Sequence, residues 1–249
     1  MRIERDGQVA IVRLEAGRGN AMSPRFLEGL EGLLAEIGDA RAAIITGQER
    51  FFSGGLDLPT LVELDRPAFR GFMEVFERVM LKCFLLPVPV VAAINGHAVA
   101  GGCVLSLMAD VRIAAEKEGM RIGLNEAQLG LGLPSVVIEP LRAQVPAASL
   151  ARIALAGELF DAGAALAVGL VHEVVPEGAL SARALEKAKQ LAALPPAGMR
   201  EIKASLREPV AALTRARGRE EAERWLDTWF APETQRVLRA TVAKLKSKS

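Results

Sequence analysis

The sequence predicts an α/β fold with a helical tail, and three observations carry the prediction. Short apolar runs alternate with segments of helical period up to about residue 178. The runs group into strand–strand–helix units near residues 8–37, 42–86 and 88–109, without enough sequence similarity between them to count as a repeat. From Ala179 onward the chain is rich in Ala, Arg and Glu and stays helical in character. The expected organisation is a core over residues 1–195 carrying the site and a helical segment over 196–249.

The elements follow in order. Arg2–Arg5 and Gln8–Leu14 flank the turn Asp6-Gly7 and read as a hairpin. Ser23 offers a helix cap with Pro24 at the first helical position. Phe26, Leu27, Leu30, Leu33, Leu34 and Ile37 then recur at helical spacing, and Gly38 closes the helix. Ala42-Ala43-Ile44-Ile45-Thr46 is a strand apolar on both faces. Gly47 to Asp57 reads as a glycine-bearing loop. Pro67 to Leu86 reads as a long helix stopped by Pro87. Val88–Ile94 is a buried strand, Gly101–Ala109 the helix behind it, and Asp110–Ala115 a further strand. Pro134 to Ala167 reads as short helices broken at Pro140, Pro146 and Gly157. Leu170–Val175 is a last strand. Pro195-Pro196 and Pro209 punctuate the tail, where Trp225, Trp229 and Phe230 gather.

Composition narrows the function. With 31 basic and 30 acidic residues the net charge is +1, which gives no electrostatic footprint for nucleic acid or an anionic membrane. Phe84 to Ala109 is apolar enough to suggest a membrane span. Pro87, Pro89, Asn95, His97 and the Gly101-Gly102 pair in its middle favour a buried strand and helix instead. Cys83 and Cys103 form no C-x-x-C pair, and the charged, strand-like N-terminus is no targeting helix. Two reduced thiols in a cytoplasmic protein are expected. His97 and His172 are too few and too separated for a zinc site, so no metal is expected. His97 reads as structural, with a general-base role still open. Gly130-Leu131-Gly132-Leu133-Pro134-Ser135 begins like a dinucleotide fingerprint but lacks its last glycine.

Two glycine loops remain, each after a buried strand: Phe51-Phe52-Ser53-Gly54-Gly55-Leu56-Asp57 and Ala98-Val99-Ala100-Gly101-Gly102. Side by side, their N–H groups can converge on one oxygen and hold a developing oxyanion. A helix opening at Gly101 adds its positive end. Spacing alone leaves ordinary turns equally open. Glu126 lies among uncharged neighbours, Gly123-Leu124-Asn125 and Ala127-Gln128-Leu129, where a carboxyl has a raised pKa suited to proton transfer. A surface glutamate is the competing reading.

The stretch Ile94-Asn95-Gly96-His97-Ala98-Val99-Ala100-Gly101-Gly102-Cys103 decides between these readings. Together with Phe52-Ser53-Gly54-Gly55-Leu56-Asp57-Leu58, it resembles the crotonase family, the enoyl-CoA hydratase/isomerase superfamily. The likeness continues through Leu155–Ala162, Ala167–Val175 and the helical tail. It implies a crotonase-like spiral of strand–strand–helix units with a C-terminal helical oligomerisation segment, assembled as a homotrimer or dimer of trimers. It places the oxyanion donors on the backbone N–H groups of Leu56 and Gly101. An acyl-CoA thioester is the implied partner, bound by Ala21, Met22, Arg25, Ser53, Gly55, Asp57, Leu58, Gly102 and Val104. No cofactor is implied, CoA being part of the substrate.

Hydratases of the family carry two glutamates. Here Val104 stands at the first position and Glu126 at the second, which is similar to the mitochondrial type of Δ3,Δ2-enoyl-CoA isomerase. The resemblance therefore implies double-bond migration from 3-enoyl-CoA to 2-enoyl-CoA with Glu126 as the one base. The alternatives are a hydratase or other acyl-CoA lyase or hydrolase using Asp57, Asn125 or Glu139, or a non-catalytic acyl-CoA-binding protein.

Overall fold

A computed structural model describes residues 1–247 of the 249. Its first unit is the hairpin β1 (Arg2–Asp6) and β2 (Val9–Arg13) followed by α1 (Pro24–Glu36). The Ser23 hydroxyl accepts the Phe26 N–H at 3.2 Å, so the expected cap is in place. The second unit is β3 (Ala42–Thr46), β4 (Phe51–Ser53), the short α2 (Leu58–Leu61) and α3 (Arg66–Phe84). The third is β5 (Val90–Ile94), β6 (His97–Val99) and α4 (Gly101–Leu107). The fourth is β7 (Val111–Glu116), β8 (Ile122–Gly123) and α5 (Ser135–Gln144).

These units explain the architecture. In each of the last three, the first strand joins a six-stranded sheet of order β1-β2-β3-β5-β7-β9, where β9 is Glu173–Pro176. The second strand joins a separate three-stranded parallel sheet, β4-β6-β8. This repeated α/β pattern is the crotonase-type architecture. In the large sheet alternate residues face opposite sides. Ala43, Ile45, Val90, Ala92, Ile94 and Ala114 enter the main core beneath α1, α3 and α4. Ala42, Ile44, Val91, Ala93, Ile113 and Ala115 are covered by α7 (Leu180–Ala192). The helix α6 (Ala162–Ala167) precedes β9, and the tail is α8 (Pro196–Phe230) with α9 (Pro232–Ser247).

Several local expectations are corrected. Gly47–Asp57 is not all loop: Phe51–Ser53 forms β4. The turn before α4 holds β6, and residues 122–123 form β8. These strands are only two or three residues long, too short for a period to show. Leu170–His172 lies outside the last strand, which begins at Glu173. Pro140 does not break α5, and Pro209 does not break α8. Pro209 removes the donor for the Ser205 carbonyl. Both residues sit on the exposed face of α8, so that carbonyl is not stranded in the core. At Pro140 the packing of α5 on α8 outweighs the lost bond.

The tail packs back on its own chain. Near its start Lys203 and Arg207 are buried and converge on Asp110. Lys203 Nζ is 2.6 Å and Arg207 Nη2 2.8 Å from the carboxylate. The same carboxylate accepts the Val90 N–H at 2.8 Å, and the Arg207 guanidinium lies over the Phe84 ring at 4.1 Å. Burial pushes the Lys203 pKa down, opposed by Asp110. At the far end Trp229 stacks on Phe69 with ring centres 4.0 Å apart. Among the described residues no helix is long and apolar enough to cross a membrane. Removing the shared carboxylate strands two buried cations. Asp110→Ala is therefore expected to lower the unfolding free energy by about 3 kcal/mol in urea titrations at pH 7.

Candidate active site

The short sheet positions the site. β4 leads into Gly54-Gly55-Leu56, and the adjacent parallel strand β6 leads into Ala100-Gly101 at the start of α4. The two turns touch. Gly55 has φ of +90°, and a Cβ there would meet the Val99 carbonyl oxygen at 2.9 Å and the Gly101 nitrogen at 3.1 Å. Only glycine fits that backbone against its neighbour. One residue past Gly101, a Cβ on Gly102 would lie 2.0 Å from the Ser53 carbonyl oxygen. The consequence is that the Leu56 and Gly101 amides sit side by side. The Leu56 nitrogen is 3.5 Å from the point where a Gly101 Cβ would be. Among the described residues neither amide donates a hydrogen bond within the chain.

Ala100 is the strained member of this pair of turns. Its φ of +51° with ψ of −122° is rare for a residue with a Cβ and costs about 1–3 kcal/mol. That conformation turns the chain from β6 into α4 and sets the direction of the Gly101 N–H. Nothing in the local sequence signals it.

A third segment braces the first loop. Met22 N–H donates to the Gly55 carbonyl at 2.8 Å and Asp57 N–H to the Met22 carbonyl at 3.1 Å. Buried Asn20, also at positive φ, links Ala16, Phe52 and Ser53 through its side chain and its carbonyl. Its bracing role was not read from the sequence, although asparagine in a glycine-rich turn is the usual sign of such a conformation. Of the residues expected to bind acyl-CoA, Met22, Gly55, Asp57 and Gly102 cluster around the two amides. Ala21 and Leu58 are half-buried beside them. Ser53 is fully buried and spent on internal hydrogen bonds. Arg25 is exposed on the first turn of α1, and Val104 is buried in the core on α4.

Glu126 arrives from the third strand of the same sheet. β8 pairs with β6 in the register Val99↔Gly123, and Ala100 N–H donates to the Gly123 carbonyl at 2.9 Å. The chains leading to Gly101 and to Glu126 thus leave the sheet side by side. Glu126 opens a 3-10 turn over Glu126–Leu129. Its Oε2 is enclosed and has no hydrogen-bond partner. Its charge adds to burial in raising the pKa of the Cys103 thiol on the first turn of α4. Burial pushes the Glu126 pKa up to about 7, opposed only by its own backbone N–H.

The remaining candidates separate. Asn125 has an enclosed, unpartnered Oδ1. Asp57 accepts the Thr60 hydroxyl at 2.6 Å. Glu139 is buried and paired to Arg217 at 3.0 Å, in the α5–α8 contact. His97 lies in β6 and packs at a tilt against Phe51, its pKa lowered by burial and then by Arg50, Arg121 and Lys117. His172 lies against Arg112, and burial with that charge lowers its pKa to about 4. The two cysteines are free and buried, their thiols pushed up to about 12 by burial. Two cavities lie elsewhere. One of about 690 Å³ runs between α8 and the Asp110–His172 side, and one of about 270 Å³ lies between α3 and α8. Neither is lined by Leu56, Gly101 or Glu126, so cavity size does not find this chemistry.

What the arrangement can do is clear from its parts. Two free N–H groups stabilise an oxygen that gains charge. A carboxyl with a pKa near neutrality, shielded from water, exchanges a proton with carbon or oxygen beside it. The family model for enoyl-CoA hydratase/isomerase matches residues 4–247. The chain belongs to the enoyl-CoA hydratase/isomerase family. It is an enzyme of that family, acting on acyl-CoA substrates. It is 31% identical to human mitochondrial enoyl-CoA delta isomerase 1 over 207 residues, 82% of this chain and 68% of that protein. It is 32% identical to carnitinyl-CoA dehydratase of Citrobacter koseri over 210 residues, 80% of this chain and 77% of that one. The crystal structure of human mitochondrial Δ3,Δ2-enoyl-CoA isomerase superposes with a TM-score of 0.94 at 28% identity, covering 100% of this chain and 98% of the other.

The raised Glu126 pKa has a stability consequence. Between about pH 4.5 and 7 the folded chain keeps a proton on Glu126 that the unfolded chain has released. Stability from this group therefore falls as pH rises through that window. Glu126→Gln is expected to be more stable than wild type at pH 8, with the gap closing by pH 5, in parallel thermal melts.

Proposed function

We propose that this enzyme moves the double bond of a 3-enoyl-CoA to the 2-position, with Glu126 as its single acid–base group. The observation that carries the proposal is the Glu126 carboxyl, whose enclosed Oε2 has no partner, on a segment that leaves the short sheet alongside the chain bearing the unused Gly101 amide, with valine at 104. The thioester oxygen accepts the Leu56 and Gly101 N–H groups. Glu126 takes a proton from C2, and the electrons flow into the carbonyl to give a dienolate held by those amides. The protonated Glu126 then returns the proton at C4, and the double bond settles between C2 and C3. One base suffices because the same proton leaves and re-enters.

Hydration asks for more. A water must be positioned and deprotonated while a second group shares the proton work. Val104 handles no proton, and Glu139 is tied up with Arg217. Likeness to both an isomerase and a dehydratase leaves the choice to the site, and a one-carboxylate site favours isomerisation. The same reading takes the enzyme to be a homotrimer or dimer of trimers. Exposed Leu194, Ile202, Leu206 and Leu213 support burial of the first half of α8 against another copy.

Turnover tests the reaction. Purified protein given a 3-enoyl-CoA is expected to produce the conjugated 2-enoyl thioester, followed by ultraviolet absorbance. Glu126→Gln should reduce kcat/KM by at least ~10²-fold. The wild-type rate should rise with pH through an ionisation near 7, because the carboxylate is the active form. Efficient hydration of 2-enoyl-CoA by wild type would overturn the assignment. In a separate experiment, Val104→Glu is expected to introduce measurable hydratase activity.

A further inference from the structure

Met22 is fully buried and reaches both turns that carry the unused amides. Its backbone holds the first. Met22 N–H donates to the Gly55 carbonyl at 2.8 Å, and the Met22 carbonyl accepts the Asp57 N–H at 3.1 Å. The Gly55 carbonyl and the Leu56 N–H belong to one peptide unit. In a planar trans unit they point opposite ways, so tying the carbonyl to Met22 aims the Leu56 N–H away from it. The second donor is aimed by its own helix. The Ala100 carbonyl accepts the Val104 N–H at 3.0 Å, so the Gly101 N–H of that peptide unit points back out of the start of α4.

Aim does not fix spacing, and two donors serve one oxygen only at the right separation. Here the Met22 side chain enters. Its Sδ lies 3.1 Å from the point where a Gly101 Cβ would be, with Gly55 Cα at 3.3 Å and the Leu56 nitrogen at 3.5 Å from the same point. The thioether therefore fills the bare side of Gly101, next to the Leu56 nitrogen. Its neighbour Ala100 holds a strained φ of +51°, which persists only while the surroundings leave no relaxed alternative. A void at Sδ would be partly closed by whatever can move. The glycine turn beside the strained residue is the part with most to gain by moving.

We infer that Met22 is a positioning residue for the oxygen-binding pair. Its backbone aims the Leu56 amide, and its thioether sets how far Gly101 stands from that amide. Met22 acts through the two donors and not on the substrate. The inference rests on the use of those amides proposed above, not on the direction or kind of reaction.

Two substitutions that differ in reach test it. Leucine keeps a carbon where Sδ stands, whereas valine ends one atom short. The first measurement is the carbonyl stretch of a bound saturated acyl-CoA, isotope-labelled at the thioester carbonyl and read by infrared difference. It needs no turnover and reports only ligand held by folded protein. Wild type is expected to shift the stretch below its value in the free thioester. Met22→Val should return it most of the way, and Met22→Leu should recover most of what valine loses. The second measurement is turnover of a 3-enoyl-CoA. There Met22→Val should lower kcat and kcat/KM together by at least ~10-fold, with KM little changed. No shift in wild type, a shift that survives Met22→Val, or equal loss with leucine and valine overturns the inference. Shifts in the expected order from a protein without isomerase turnover would fault the proposed reaction and leave this inference standing.

Discussion

The contact between two backbone turns is the constraint on which the rest depends. Gly55 and Gly102 let the chains after β4 and β6 approach at distances no side chain permits. Two parallel strands side by side supply the alignment, and the missing Cβ atoms supply the last ångströms. Amides left free at that junction have directions set by the sheet, not by mobile side chains. This is the preorganisation that makes backbone donors effective toward a developing charge. The strain at Ala100 belongs to the same arrangement. It persists because β6 on one side and α4 on the other leave the turn no other route.

Around that junction charge is scarce. The short sheet delivers Glu126 to it, whose environment opposes ionisation through burial. A partnered carboxylate would be held charged and would be a weak base. An exposed one would share its work with water. The structure holds the group between those limits, where little free energy separates its two protonation states at neutral pH. The ion-paired carboxylates are kept elsewhere. Asp110 anchors the tail and Glu139 joins α5 to α8.

Much of this was legible in the sequence because it depends on local chemistry. The cap at Ser23, the two-faced apolar run Ala42–Thr46 and the uncharged surroundings of Glu126 are all one-dimensional signals. The glycine loops were visible as loops, but their mutual contact was not. It is made by β4, β6 and β8, which are too short to show a period. Asn20 carried a readable hint in its residue type, whereas the φ of Ala100 had none. Pro140 and Pro209 misled for the opposite reason. Proline is a strong local signal, and here tertiary packing and an exposed carbonyl overrode it.

The helical tail divides its labour along its length. The Asp110 clamp fixes the start of α8 to the starts of β5 and β7. The aromatic stack and the two threonine bonds fix its other end over the segment beyond Glu126. The amides and the carboxyl, by contrast, are held by the short sheet, where a Cβ at Gly55, Gly102 or Gly123 would collide with backbone oxygen. The chemistry and the anchoring of the tail are thus placed on separate parts of the fold, so the demands of one do not constrain the residues of the other.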